Sequence, residues 1–142
     1  MSLRHVSQVH SSGCFTACVA MLLGKSYEEV HSLLHPTSDP QDYDCPGIRS
    51  EKVDEAASEK LQQLGIKVKR AKLRQLRSLL RHSRKHALLI IRWEWAPTLC
   101  HAIVFDVDRK RFLDPTGRTL KRKIYERQLD SVLYVDPPKK AA

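Results

Sequence analysis

Ten consecutive residues, Cys14-Phe15-Thr16-Ala17-Cys18-Val19-Ala20-Met21-Leu22-Leu23, carry no charge, and only Thr16 among them is polar. Wound as a helix, this block is apolar on every side, so it must lie buried at the centre of a domain. Gly24 stops it. Ahead of it, Ser11-Ser12-Gly13 supplies the turn and capping chemistry of a helix start. The block is too short to cross a bilayer, as is the next apolar run, Ala87–Ile91. A chain of 142 residues has room for one such centre, so a single domain over 1–142 is predicted, with a core over about 5–136 and a ragged basic tail at 137–142. At this size roughly 70% of the unfolded surface is buried on folding, and neither a disulfide nor a metal is required.

Around that helix the pattern changes along the chain. Ser26 and Glu29 have capping-box spacing and start a second helix that runs towards Leu34. Pro36, Pro40 and Pro46 make His35–Gly47 a loop. A helix from about Ser50 to Leu64 places Val53, Ala57, Leu61 and Leu64 on one face, with Gly65 as its stop. Ile66–Arg70 alternates apolar and basic, as in a strand with one wet face, and Leu73, Leu76, Leu79 and Leu80 trace a basic amphipathic helix. The second half is strand-like at Ala87–Trp93, His101–Val107, Arg111–Leu113 and Val132–Val135, with a turn at Asp108-Arg109-Lys110. Helices first and an antiparallel sheet afterwards predict an α+β fold.

Apolar residues make up 42% and charged residues 29%, with five Gly and seven Pro, which excludes a disordered, collagenous or low-complexity chain. Twenty-five Lys and Arg against sixteen Asp and Glu leave a net charge of +9. Eleven of those basic residues fall between Lys60 and Arg92, a stretch with no acidic residue. Such a segment either solvates a helix face or docks an acidic partner. Nucleic acid is disfavoured, because no recognition motif accompanies the charge and aromatic residues are few. The N-terminus, Met1-Ser2-Leu3-Arg4-His5, lacks a secretory signal, so a cytoplasmic protein, or one exported without a cleavable signal, is expected. The thiols Cys14, Cys18, Cys45 and Cys100 are then reduced. They form no Cys-x-x-Cys pair, and Cys14 with Cys18 is weak evidence for zinc, so no metal or cofactor is expected.

Cys14 stands where the buried helix begins, and the positive end of the helix dipole favours thiolate there. A thiolate nucleophile needs a proton carrier. His101 opens the apolar strand His101-Ala102-Ile103-Val104-Phe105, and Asp114 ends the next one at Phe112-Leu113-Asp114-Pro115. Across a hairpin those positions lie side by side, so the carboxylate fixes the imidazole tautomer. Gln8, six residues before Cys14, offers a side-chain amide to a developing oxyanion. Each residue also has an ordinary explanation: core thiol, strand histidine, turn aspartate and surface glutamine. Trp93, Trp95 and Tyr43 read as packing residues.

Taken in order, Gln8 through Gly24, with the Gln-x5-Cys opening and an apolar helix ending in Leu-Gly, resembles the papain-like cysteine peptidases. It is most similar to the bacterial double-glycine-leader (bacteriocin-processing) peptidases and their stand-alone relatives. Leu64-Gly65, the strand before the histidine and Asp114-Pro115 belong to the same likeness, which covers about Gln8 to Gly117. It implies a papain-like fold with the nucleophile at the start of a buried central helix packed on a C-terminal antiparallel sheet. It also implies Cys14 as nucleophile, His101 as general acid–base, Asp114 as orienting carboxylate and Gln8 as oxyanion donor. That family has Gly directly after the nucleophile, where this chain has Phe15, and often an acidic residue before it, where this chain has Gly13. No transporter segment follows.

The expected activity is therefore amide hydrolysis on a protein or peptide by a Cys-His-Asp triad, foremost as a cysteine peptidase and by analogy a bacterial effector or toxin. A glutamine deamidase or transglutaminase-type enzyme would use the same triad. A non-catalytic module binding an acidic partner through the basic 60–92 segment is the competing class.

Overall fold

The computed structural model describes residues 3–9, 13–34, 53–71, 76–92, 100–118 and 122–136. The expected cap at Ser11-Ser12, the loop His35–Gly47 with Tyr43 and Cys45, Trp93, Trp95 and the tail 137–142 lie outside these residues, as does the side chain of Cys100.

The apolar block is helix α1, Cys14–Leu23, with residues 14 to 22 all buried. Gly24 adopts φ 66°, a left-handed conformation only glycine takes without strain, and its N–H closes on the Ala20 carbonyl. Helix α2, Tyr27–Leu34, starts at Ser26. The Ser26 Oγ accepts the Glu29 N–H at 3.2 Å. It also donates to the Glu29 carboxylate at 3.2 Å, so the two side chains that the capping-box spacing pairs are in contact. Then come α3 (Val53–Gln63), β1 (Lys67–Ala71), α4 (Leu76–His82), β2 (His86–Arg92), β3 (Cys100–Asp106), β4 (Arg111–Leu113), α5 (Arg122–Arg127) and β5 (Leu129–Asp136). Among the described residues, five helices and one antiparallel five-stranded sheet, in the order β1-β5-β2-β3-β4, make the fold α+β.

The sheet is buried on both faces, which is why β2 reads as an unbroken apolar run instead of an alternation. Leu88 and Ile90 of β2 with Ala102 and Val104 of β3 join the cluster of α1, α2 and α3. Their strand neighbours Leu89, Ile91, Ile103 and Phe105 join Leu76 and Leu79 of α4 and Tyr125 of α5 on the other face. Two expectations change here. The sheet is not purely C-terminal, because β1 comes early and pairs with the last strand, β5, at the sheet edge. Nor are all the helices in the first half. Helix α5 escapes a reading of the sequence because its six residues, Arg-Lys-Ile-Tyr-Glu-Arg, are too few to show a repeating apolar stripe.

Two details set up the region around His101. Strand β4 pairs with β3 only at Val104–Asp106, so among the described residues no strand covers Cys100–Ile103 on that side. On the other side Ile91 faces His101, and there β5 carries a bulge, since Ile90 pairs with Ser131 but Ile91 with Leu129. Asp130, skipped by the bulge, takes Arg92 Nε at 3.2 Å. Among the described residues no helix is long and apolar enough to cross a membrane.

Candidate active site

Cys14 is the first residue of α1, directly after its N-cap Gly13, so its N–H is among the first-turn donors that no helical carbonyl reaches. Its side chain belongs to the α1 cluster, whereas His101 has the strand parity of Ile103 and Phe105 on the opposite face. His101 lies where β3 has no β4 partner among the described residues. There the Cys14 sulfur hydrogen-bonds the His101 imidazole. His101 Nε2 donates to Asp114 Oδ1 at 2.9 Å, leaving Nδ1 as the ring nitrogen for the thiol. Cys14, His101 and Asp114 are all nearly closed to solvent.

The Asp-Pro-Thr-Gly sequence explains why Asp114 is where it is. It forms a turn in which the Gly117 N–H donates to the Asp114 carbonyl at 2.9 Å, with Pro115 in the second position. Gly117 closes the turn at φ 79°. Asp114 starts the turn, so its own carboxylate reaches the backbone two residues on and accepts the Thr116 N–H at 2.9 Å. The Thr116 hydroxyl donates to the same Oδ1 at 2.7 Å, and Tyr125 Oη donates to Oδ2 at 2.8 Å. Four donors thus converge on one buried carboxylate.

The electrostatics follow. Burial works to lower the His101 pKa, but it is outweighed by the hydrogen bonds with Asp114 and Cys14 and by the negative charge of both, so the imidazole is raised to about 9. Burial works to raise Asp114, but its bond to His101, the His101 charge and the Thr116 donors bring it down to about 2. Cys18, one turn below Cys14 and fully buried, is pushed well above the ordinary thiol value, first by burial and then by the negative charges of Cys14 and Asp114. It is a neutral packing residue beside a charged group.

Gln8 lies in the N-terminal strap, residues 3–9, which is fastened beside β4. Arg111 donates to the Leu3 carbonyl at 2.9 Å, His5 Nε2 to the Asp114 carbonyl at 2.7 Å, and the Gln8 N–H to the Pro115 carbonyl at 3.0 Å. These contacts hold half-buried Gln8 at the corner that carries Asp114. The structure thus brings Cys14, His101 and Asp114 into one chain of contacts and ties Gln8 to its far end by the main chain. Sequence reasoning missed Tyr125, Thr116 and His5. Thr116 was legible from the Asp-Pro-Thr-Gly turn. Tyr125 required α5, and His5 lies 109 positions from its partner.

No family model matches this chain, and no curated protein matches it either.

Among the described residues, the group whose ligand atoms converge as a metal site would need is His86, Asp106 and Asp108, within 4.8 Å of one another, and not the Cys14–Cys18 pair. Its atoms are already engaged. His86 Nδ1 accepts the Val107 N–H at 3.1 Å, Asp106 Oδ1 accepts the Asp108 N–H at 3.1 Å, and Asp106 Oδ2 takes Arg111 Nε at 3.3 Å. The basic stretch lies mostly towards the β1 edge. Lys67, Lys69, Arg77, Arg81 and Arg84 are exposed, while Arg70 pairs with Asp54 at 2.8 Å and Lys85 with Asp136 at 2.6 Å.

Proposed function

We propose that this chain is a papain-like thiol hydrolase that attacks an amide carbonyl, with Cys14 as nucleophile, His101 as general acid–base and Asp114 as the orienting carboxylate. One observation carries the reading: a single imidazole bonded on one side to a buried carboxylate and on the other to a thiol at the start of a buried helix. That arrangement favours the thiolate–imidazolium form over the neutral pair, because both partners of His101 favour its protonated state.

The chemistry is then an acyl transfer in two halves. The Cys14 sulfur forms a bond to the carbonyl carbon, and the oxyanion accepts hydrogen bonds from the Cys14 N–H and the Gln8 side-chain amide. The imidazolium gives its proton to the departing amine as the C–N bond breaks, leaving a thioester. His101, now neutral, takes a proton from water, which attacks the thioester and releases the acid and the thiol. Asp114 holds the ring in the tautomer that both halves require. The substrate class proposed is a peptide bond in a protein or peptide.

The test is incubation of wild type and Cys14→Ala with a mixture of proteins, read by mass spectrometry. New termini formed by wild type alone support a peptidase. A mass gain of about one unit on glutamine, without new termini, replaces it with a deamidase of the same triad. No product in either form, together with equally slow iodoacetamide labelling of Cys14 and Cys18, overturns the enzyme reading. In that case the exposed lysines of β1 and arginines of α4 favour a module that docks an acidic partner, with salt-sensitive binding that survives Cys14→Ala.

A further inference from the structure

The two oxygens of Asp114 have unlike surroundings. Oδ1 is shared by three donors, the Thr116 N–H, the Thr116 hydroxyl and His101 Nε2, at 2.9, 2.7 and 2.9 Å. A carboxylate has about four acceptor sites, two on each oxygen, so three donors on one oxygen compete. Left alone, the group would turn about its Cβ–Cγ bond to share them out, and two of the three donors belong to the turn it starts. His101 would be the one to lose. Oδ2 is held instead by Tyr125 Oη at 2.8 Å. The tyrosine comes from α5, 11 residues further along the chain and outside the turn, and it is 1% exposed. Its ring packs on Phe112 with centroids 6.3 Å apart, and Phe112 packs on Phe105 at 5.3 Å. The hydroxyl is therefore delivered by a fixed aromatic stack.

We propose that Tyr125 is a positioning residue: by fixing Oδ2 it keeps Oδ1 on the His101 Nε2–H, and so sets how strongly the imidazole is charged and where it points towards Cys14. Its effect on turnover rests on the thiol-hydrolase reading, whereas its effect on His101 does not. The groups facing the imidazole are Cys14 from α1, Asp114 after β4 and the neutral Ile91 of β2. Those facing Asp114 add Thr116, Tyr125, Cys18 and, at its main-chain oxygen, His5.

Tyr125→Phe removes the hydroxyl and keeps the ring. His101 is titrated by NMR in the intact protein, and iodoacetamide labelling of Cys14 is followed against pH. In Tyr125→Phe the His101 midpoint falls by about one unit, a roughly tenfold loss of proton affinity, and Cys14 labelling at neutral pH slows about tenfold. Phe112→Leu, which loosens the stack but keeps the hydroxyl, lowers the midpoint in the same direction but by less than Tyr125→Phe. Adding Thr116→Val to Tyr125→Phe removes a competitor for Oδ1 and restores part of the midpoint, which a merely structural role of Tyr125 would not produce. A folded Tyr125→Phe protein with the wild-type midpoint overturns the proposal. If Tyr125→Phe does not fold, Thr116→Val alone decides: the proposal requires its midpoint to rise, and an unchanged midpoint overturns it. Should wild-type Cys14 label no faster than Cys18, the hydrolase reading fails, while the His101 midpoint still decides the role of Tyr125.

Discussion

A histidine–aspartate pair lies at each end of strand β3, and the two differ in how the ring nitrogens are engaged. At one end His101 donates to Asp114 and turns its other nitrogen to a thiol. At the other, His86 Nδ1 accepts the Val107 N–H. That nitrogen lies 3.8 Å from the Asp106 carboxylate, too far for a hydrogen bond. Asp106 is fully buried too, but its carboxylate is taken up by Arg111 and the Asp108 N–H, and the result is a pinned hairpin. Burial and residue type are alike in the two places. What separates them is whether the imidazole accepts a backbone N–H or bonds a thiol, and a pair of residue letters in a sequence does not reveal that.

The contrast is sharpest in rate. On the proposed hydrolase reading, Cys14→Ala should abolish turnover and His101→Ala should lower it by about 10²–10⁴-fold, with folding intact by circular dichroism. His86→Ala leaves turnover per folded molecule within about twofold, and a collapse there would erase the distinction. Next come the two aspartates. On the same hydrolase reading, Asp114→Ala should lower kcat about 10²-fold, since His101 loses its tautomer control and the carboxylate that raises its basicity. Asp106→Ala spares kcat and lowers unfolding stability by about 1–3 kcal/mol in urea titrations, because the Asp108 N–H and Arg111 lose their acceptor.

A third contrast lies in pH. His101 is raised from its ordinary 6.5 to about 9, so its contribution to stability is complete below about 6.5 and is lost as pH rises through about 9. Asp114 is lowered from 3.8 to about 2, so its contribution is complete above about 4 and is lost as pH falls through about 2. Denaturant unfolding across pH should therefore show both limbs in wild type, and in Asp114→Asn no acid limb and a smaller alkaline one, since Cys14 still faces His101. Limbs that persist unchanged in that variant would assign them to other groups. The smallest effect expected is that of His5→Ala, a loss of about 1 kcal/mol in urea titrations with kcat nearly unchanged. The change is small because the Gly117 N–H still holds the Asp114 carbonyl.

Local patterns made much of the fold legible. The residues of α1 announced their own burial, Ser26 and Glu29 marked the start of α2, and Arg111–Leu113 is the strand its letters describe. Chain position was misleading for β1, because which strand lies beside which is decided by long-range pairing that periodicity does not encode. At the site, Cys14, His101 and Asp114 each stood at an element boundary where local sequence rules apply. Tyr125 and His5 did not. One sits in a helix too short to show a stripe, and the other acts through a carbonyl that only the folded chain brings near.

The strand order has a consequence for how such a protein is made. Strand β5 emerges from the ribosome after the other four described strands, yet it belongs between β1 and β2. The tyrosine that steadies the carboxylate comes only just before it. In a chain made from its N-terminus, the buried helix that carries Cys14 therefore precedes both that strand and the tyrosine that completes the surroundings of Asp114.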